Sequence, residues 1–336
     1  MGRLPTAVCV GESMAALLPD RPGPLEEVAT FHHSTGGAES NVACGLVALG
    51  IPTAWVSRVG DDGVGRRMLR ALEAAGVDTT AVVVDRSRPT GLYVKEIGAA
   101  GSVLHYYRSG SAAAALGPEL LDQEPAAPLL GGADLIHLSG ITAALSDTAL
   151  GLVRAILERR HPGRLVSFDL NWRPTLWRDR DPSALRPLLD AADIVLLGAD
   201  EATDVFGTGD PAELRELLPR PETLVVKESA RHALAVDGSG VTAEPALAVE
   251  VVDEVGAGDA FAAGYLAGTL RGYDQHRRLR LGHLAAAATL VIHGDHGPLP
   301  PAGLIERLLA ATPGEWAATT VRADGWNTPV DGRETP

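Results

Sequence analysis

Residues 253–261 read DEVGAGDAF, between the alternating apolar run LAVEVV and the small-residue run FAAGYLAGTL. The change of period marks a joint between a strand and a helix. A helix N-terminus offers backbone N–H groups without intrahelical partners and a positive partial charge. Gly256 and Gly258 let that backbone come close to a ligand and take up positive φ. The joint is therefore a candidate phosphate or oxyanion cradle. The plainer reading is a tight turn, with Asp259 a favourable charge in the first helical turn.

Two familiar phosphate motifs are excluded. A dinucleotide GxGxxG would need glycine at 261, which is Phe261, and GxxxxGK[ST] occurs nowhere in the chain. Asp259 then carries the information, because a carboxylate beside an anion cradle repels the anion. A general base for a substrate hydroxyl resolves the conflict: an ordinary Asp is ionised at neutral pH and accepts the proton as phosphoryl transfer proceeds.

Outward from this joint, apolar runs alternate with helix-period runs, which predicts an α/β fold with a mainly parallel sheet covered by helices. Candidate core strands are AVCV (7–10), TAWVS (53–57), DLIHL (134–138), RLVSFDL (164–170), DIVLL (193–197) and TLVVK (223–227). Between 90 and 107, TGLYVKEIGAAGSVLHYY reads as a hairpin around 98–101. With the polar, proline-bearing stretch 13–34 it makes either a small sheet projecting over a site or an ordinary antiparallel edge. From 312 onward the chain is rich in Pro, Gly, Thr and acids, so residues 313–336 are expected to be an irregular tail.

With 336 residues, 46% of them hydrophobic, the chain can bury a large core. No run of about 18 uncharged apolar residues appears, and the first apolar stretch is too short for a signal peptide, so the expected location is cytoplasmic. The formal charge of −14 argues against nucleic acid or an anionic membrane as partner. Two cysteines, Cys9 and Cys44, fit neither a disulfide framework nor a zinc site. His293 and His296 flank Asp295, but no further ligands converge in the sequence, so no metal is expected there.

GAGDAF after a strand, together with GGAESN at 36–41, resembles the two signatures of the ribokinase-like (PfkB) sugar kinases. The resemblance runs from about residue 8 to 309. It implies a three-layer α/β/α kinase domain over 1–312, with a small β-sheet lid from about 13–34 and 90–110. It also implies ATP as donor, Mg2+, Asp259 as catalytic base, and an anion hole from the amides of Gly256, Ala257 and Gly258. Gly37 and Asn41 would face the sugar at a helix N-terminus; Ser40 or Asn41 can equally be a plain N-cap.

HYYRSGSA (105–112), HLSGIT (137–142), FDLNWRPTLW (168–177) and HGDHG (293–297) look like 2-keto-3-deoxygluconate kinases within that family. By that resemblance Tyr93, Tyr106, Arg108, Ile141, Arg173 and Asp295 line the sugar site. Two arginines in an acidic protein suit a carboxylate, which a neutral hexose lacks; taken singly, each is equally a surface ion pair. On the nucleotide side Lys227 and Ser229 are the expected contacts, although relatives carry glycine where Ser229 stands. Relatives show Asn-x-x-Glu where this chain has Gly198, Ala199, Asp200, Glu201. Glu201 is expected to reach magnesium through water, or else is only an acid in the first turn of a helix. Trp172 stands where relatives carry tyrosine.

The leading expectation is ATP-dependent phosphorylation of 2-keto-3-deoxygluconate to its 6-phosphate, by a homo-oligomer paired through the lid. The alternatives are a kinase for fructose, ribose or another keto-acid, and a catalytically silent sugar-binding protein of the same fold.

Overall fold

The computed structural model describes residues 4–98, 101–294 and 297–330. An eight-stranded sheet runs through the centre. Its order is Gly240–Pro245, His232–Asp237, Thr223–Lys227, Ile194–Gly198, Leu165–Asp169, Leu135–Ser139, Ala7–Val10, Thr53–Val56. Six strands are parallel, and their residues are almost all buried, which is why they read as unbroken apolar runs. The other two form an antiparallel hairpin at one edge, HALAVDGSGVTAEP, that the apolar-run reading passed over. Its turn residues, DGSG flanked by alternating positions, were the available signal.

Successive strand residues point to opposite faces, and the two faces found two cores. Cys9, Trp55, Leu135, Leu196 and Val225 pack under the helices Ala38–Ala48, Ala257–Leu270 and Gln275–Leu290. Val10, Val56, Ile136, Leu197 and Val226 pack under Asp147–Glu158 and Leu185–Ala191. The result is a three-layer α/β/α sandwich with a mainly parallel sheet.

A second sheet has four strands in the order Phe31–Gly36, Met14–Pro19, Leu92–Gly98, Gly101–Tyr107. The middle pair is parallel and both flanks are antiparallel. Its small core is Met14, Ala16 and Tyr93.

The tail departs from expectation. Residues 313–330 are not irregular: Pro313–Ala317 is a helix with a Thr312–Glu315 capping box, and Thr320–Arg322 pairs with Gly325–Asn327. The anchor is Trp316, fully buried, donating its indole N–H to the Pro245 carbonyl at 2.9 Å beneath the Arg280 guanidinium. A composition rich in Pro and Gly concealed the apolar side chains that dock the segment: Val321 and Val330 are buried in the same core as Trp316, and Thr320 and Val321 pair with Ala248 and Val249. Among the described residues no helix is long and apolar enough to cross a membrane.

Candidate active site

Helix Ala257–Leu270 begins where the reading placed it. Its N-cap, Gly256, has φ +81°, a conformation that suits glycine. Gly258 is ordinary helix; its lack of a side chain instead keeps open the space toward the Lys227 ammonium, 3.8 Å from where a Cβ would stand. The Ala257 amide leans back on the Glu254 carbonyl at 3.4 Å.

This helix is held by close packing. A Cβ on Gly264 would stand 2.3 Å from the Leu281 carbonyl oxygen, so the helices Ala257–Leu270 and Gln275–Leu290 touch backbone to backbone. On its other side lies helix Ala38–Ala48. Gly37 is the N-cap there, so neither Ser40 nor Asn41 plays that part. Gly37 is also needed for approach within the protein: a Cβ would lie 2.4 Å from the Glu12 carbonyl oxygen. Asn41, one turn in, donates from Nδ2 to Asp259 Oδ2 at 2.8 Å. Asn171 donates from its own Nδ2 to Asp259 Oδ1 at 3.2 Å. Both carboxylate oxygens of Asp259 thus accept an amide N–H, which orients the group.

Asn171 was not singled out from the sequence. It has φ +39°, is buried, and its Oδ1 has no hydrogen-bond partner. Asparagine tolerates that backbone better than most residues, a signal that only dihedral angles reveal.

These groups line a cleft of about 480 Å³ under the four-stranded sheet. Of the expected residues, Gly37, Asn41, Tyr93, Tyr106, Arg108, Ile141, Arg173, Glu201, Lys227, Gly256, Gly258 and Asp259 all line it. Tyr93 and Tyr106 pack ring against ring at 5.9 Å, while Tyr107 points to solvent. Ala257 and Ser229 line a neighbouring cavity of about 350 Å³, which shares Lys227, Glu254 and Gly258 with the first. Its walls are mostly apolar, including Leu247, Phe261 and Leu290. Asp295 lies outside the described residues.

The two arginines are less free than a bare clamp. Arg108 Nε donates to Glu12 Oε2 at 2.6 Å, with the side chains 8% and 0% exposed, and Glu12 also accepts from Ser111 Oγ at 2.5 Å. Glu12 sits in VGES after the first strand and was passed over. Arg173 donates to the Trp172 carbonyl at 2.8 Å and stands 3.7 Å from Glu201. Each guanidinium faces the cleft with its charge partly compensated.

Lys227 donates to Asp169 at 3.1 Å. Burial alone would lower its pKa; the carboxylates of Asp169, Glu201 and Asp259 outweigh this and hold it above the ordinary value, so it stays charged. Glu201 accepts from the Gly198 N–H at 2.9 Å and the Trp172 N–H at 3.1 Å, and burial raises its pKa. It caps its helix, with Gly198 at the cap position. Ser229, standing for the expected glycine, has φ +47°, the left-handed conformation a glycine would take. The backbone shape is kept at the cost of strain.

Glu39, inside GGAESN, is fully buried and accepts from Ser139 Oγ at 2.6 Å and Thr142 Oγ1 at 2.5 Å. Burial raises its pKa. It ties the helix bearing Asn41 to the short helix Gly140–Leu145, which bears Ile141.

Residues 5–301 match the pfkB family carbohydrate kinase. A 2-dehydro-3-deoxygluconokinase of Thermoproteus tenax is 36% identical over 315 residues, covering 90% of this chain and 94% of that one. One of Bacillus subtilis (strain 168) is 33% identical over 313 residues, covering 91% and 95%. A crystal structure of a PfkB protein from Polaromonas sp. JS666 superposes with a TM-score of 0.76 at 35% identity, covering 84% of this chain and 94% of that one. The chain belongs to the pfkB family of carbohydrate kinases and is a sugar kinase.

Proposed function

We propose that the protein transfers the γ-phosphoryl group of ATP to the terminal hydroxyl of 2-keto-3-deoxygluconate, also called 2-dehydro-3-deoxygluconate. The observation that carries this reading is Asp259, held by two amides in a cleft that joins a neighbouring cavity through Lys227, Glu254 and Gly258. The cleft takes the sugar and the cavity the nucleotide base. Asp259 accepts the hydroxyl proton, and the amides of Gly256, Ala257 and Gly258 face the charge on the transferring group. Charged Lys227 faces the same point. The four-stranded sheet acts as a lid, with Tyr93, Tyr106 and Arg108 contributed from above, and keeps water from the phosphoryl group.

Magnesium enters as part of the nucleotide complex. Among the described residues no three His, Cys, Asp or Glu side chains are grouped so as to hold a metal ion, so the donors fit a hydrated ion rather than a protein cage. Glu201, its oxygens accepting backbone N–H groups, would reach it through water.

The preference for an acid sugar rests on Arg108 and Arg173 in one cleft. ATP-dependent ADP release, measured with 2-keto-3-deoxygluconate, 2-keto-3-deoxygalactonate, gluconate, fructose and ribose, tests it. A keto-deoxy acid is expected to win, and a neutral sugar in first place would end the carboxylate argument. Asp259→Asn should lower kcat by about 10² to 10⁴ with sugar binding retained; equal loss of both would remove Asp259 from the base role.

A further inference from the structure

One contact joins the four-stranded sheet to the edge of the phosphoryl turn. Lys95, on strand Leu92–Gly98, places its ammonium 2.8 Å from Asp253 Oδ2, with the side chains 9% and 14% exposed. The other oxygen, Asp253 Oδ1, accepts the backbone N–H of Val255 at 3.2 Å. Val255 and Gly256 line the cleft directly. On its far side the turn is tied by the Val252 N–H to the Leu290 carbonyl at 2.8 Å.

Tyr93 and Lys95 are two residues apart on one strand and therefore share a face. Both are buried, Tyr93 over the cleft and Lys95 over the turn. A buried ammonium is costly without its partner, and so is the carboxylate. The pair forms only when the strand is seated.

We infer that Lys95 is a positioning residue: through Asp253 it holds the 253–258 turn in its anion-binding shape when the small sheet is seated over the cleft, with or without a sugar beneath it. This inference rests on the proposed kinase reaction. It means that the strand touching the sugar also sets the geometry of the amides that meet the phosphoryl group. An open sheet leaves Asp253 without its cation and the turn less defined.

The test uses Lys95→Met, Lys95→Gln, Lys95→Arg, Asp253→Asn and the Lys95→Met/Asp253→Asn double variant of the full chain. Two measurements are made: steady-state kinetics for sugar and ATP, and amide hydrogen exchange over 250–260 in the protein without ligands. Lys95→Met and Lys95→Gln should lower kcat roughly a hundredfold, the effect of an ångström's misplacement, with KM for ATP little changed. Both should speed exchange at Val255, and Lys95→Arg should restore both readouts. The double variant should be no worse than the poorer single one, since the two side chains act as one pair. Unchanged kcat, unchanged exchange, or losses that multiply in the double variant would each overturn the inference. If the wild type phosphorylates no sugar, the functional proposal falls, while the exchange comparison still decides whether Lys95 holds the turn.

Discussion

Arg108 offers a prediction in which stability and substrate recognition separate. Arg108→Met leaves Glu12, fully buried, without its cation. Breaking a buried pair from one side costs about 3–5 kcal/mol. With an unfolding entropy of about 2.1 cal/mol/K per residue, 336 residues give roughly 0.7 kcal/mol/K, so Tm should fall by about 4–7 °C. Glu12→Gln/Arg108→Met removes both charges and keeps an acceptor for the Ser111 hydroxyl, so most of that Tm loss should return. Recognition should not return. A charge-assisted bond to a substrate carboxylate contributes about 1.5–3 kcal/mol, so kcat/KM for the keto-deoxy acid should stay down roughly tenfold to a hundredfold. Turnover of a neutral sugar should be little changed. Scanning calorimetry and the ADP-release assay on the wild type and the two variants measure all of this. If the double variant takes the acid sugar as well as wild type does, or loses acid and neutral sugars alike, Arg108 does not grip a carboxylate.

Ser229→Gly should relieve left-handed strain of about 1–2 kcal/mol, less about 0.5–1 kcal/mol for the freer unfolded chain, giving a small rise in Tm; a drop would mean the serine side chain makes a contribution of its own. His137 and His283 are buried, and burial lowers each pKa from 6.5 to about 4. The unfolded chain therefore takes up protons that the native chain refuses, and stability is lost as pH falls from about 6.5 toward 4. The loss is on the order of 3 kcal/mol per histidine at the low end, read from urea midpoints between pH 7 and 4.5; a midpoint flat across that window would show that the two are protonated in the fold.

Local features account for what could be read in advance. Buried parallel strands announce themselves as apolar runs, and the strand-to-helix change of period located the Gly256 turn and Asp259 to the residue. GGAESN was legible for the same reason, since its small residues and amide occupy one turn of chain. The long-range partners were not. Asn41 and Asp259 are 218 residues apart, Lys95 and Asp253 are 158, and Arg108 and Glu12 are 96.

The sequence by itself determined the layered α/β architecture, the turn at Gly256 and the carboxylate beside it, because each follows from spacing within one or two elements. Only the tertiary structure decided that two asparagines orient Asp259, that Glu12 compensates Arg108, that Glu201 caps its own helix and that Trp316 docks the tail. Those outcomes depend on which side chains meet after the crossovers bring distant strands together. A charge in a sequence has no partner until the fold has chosen one, and desolvation makes that choice count.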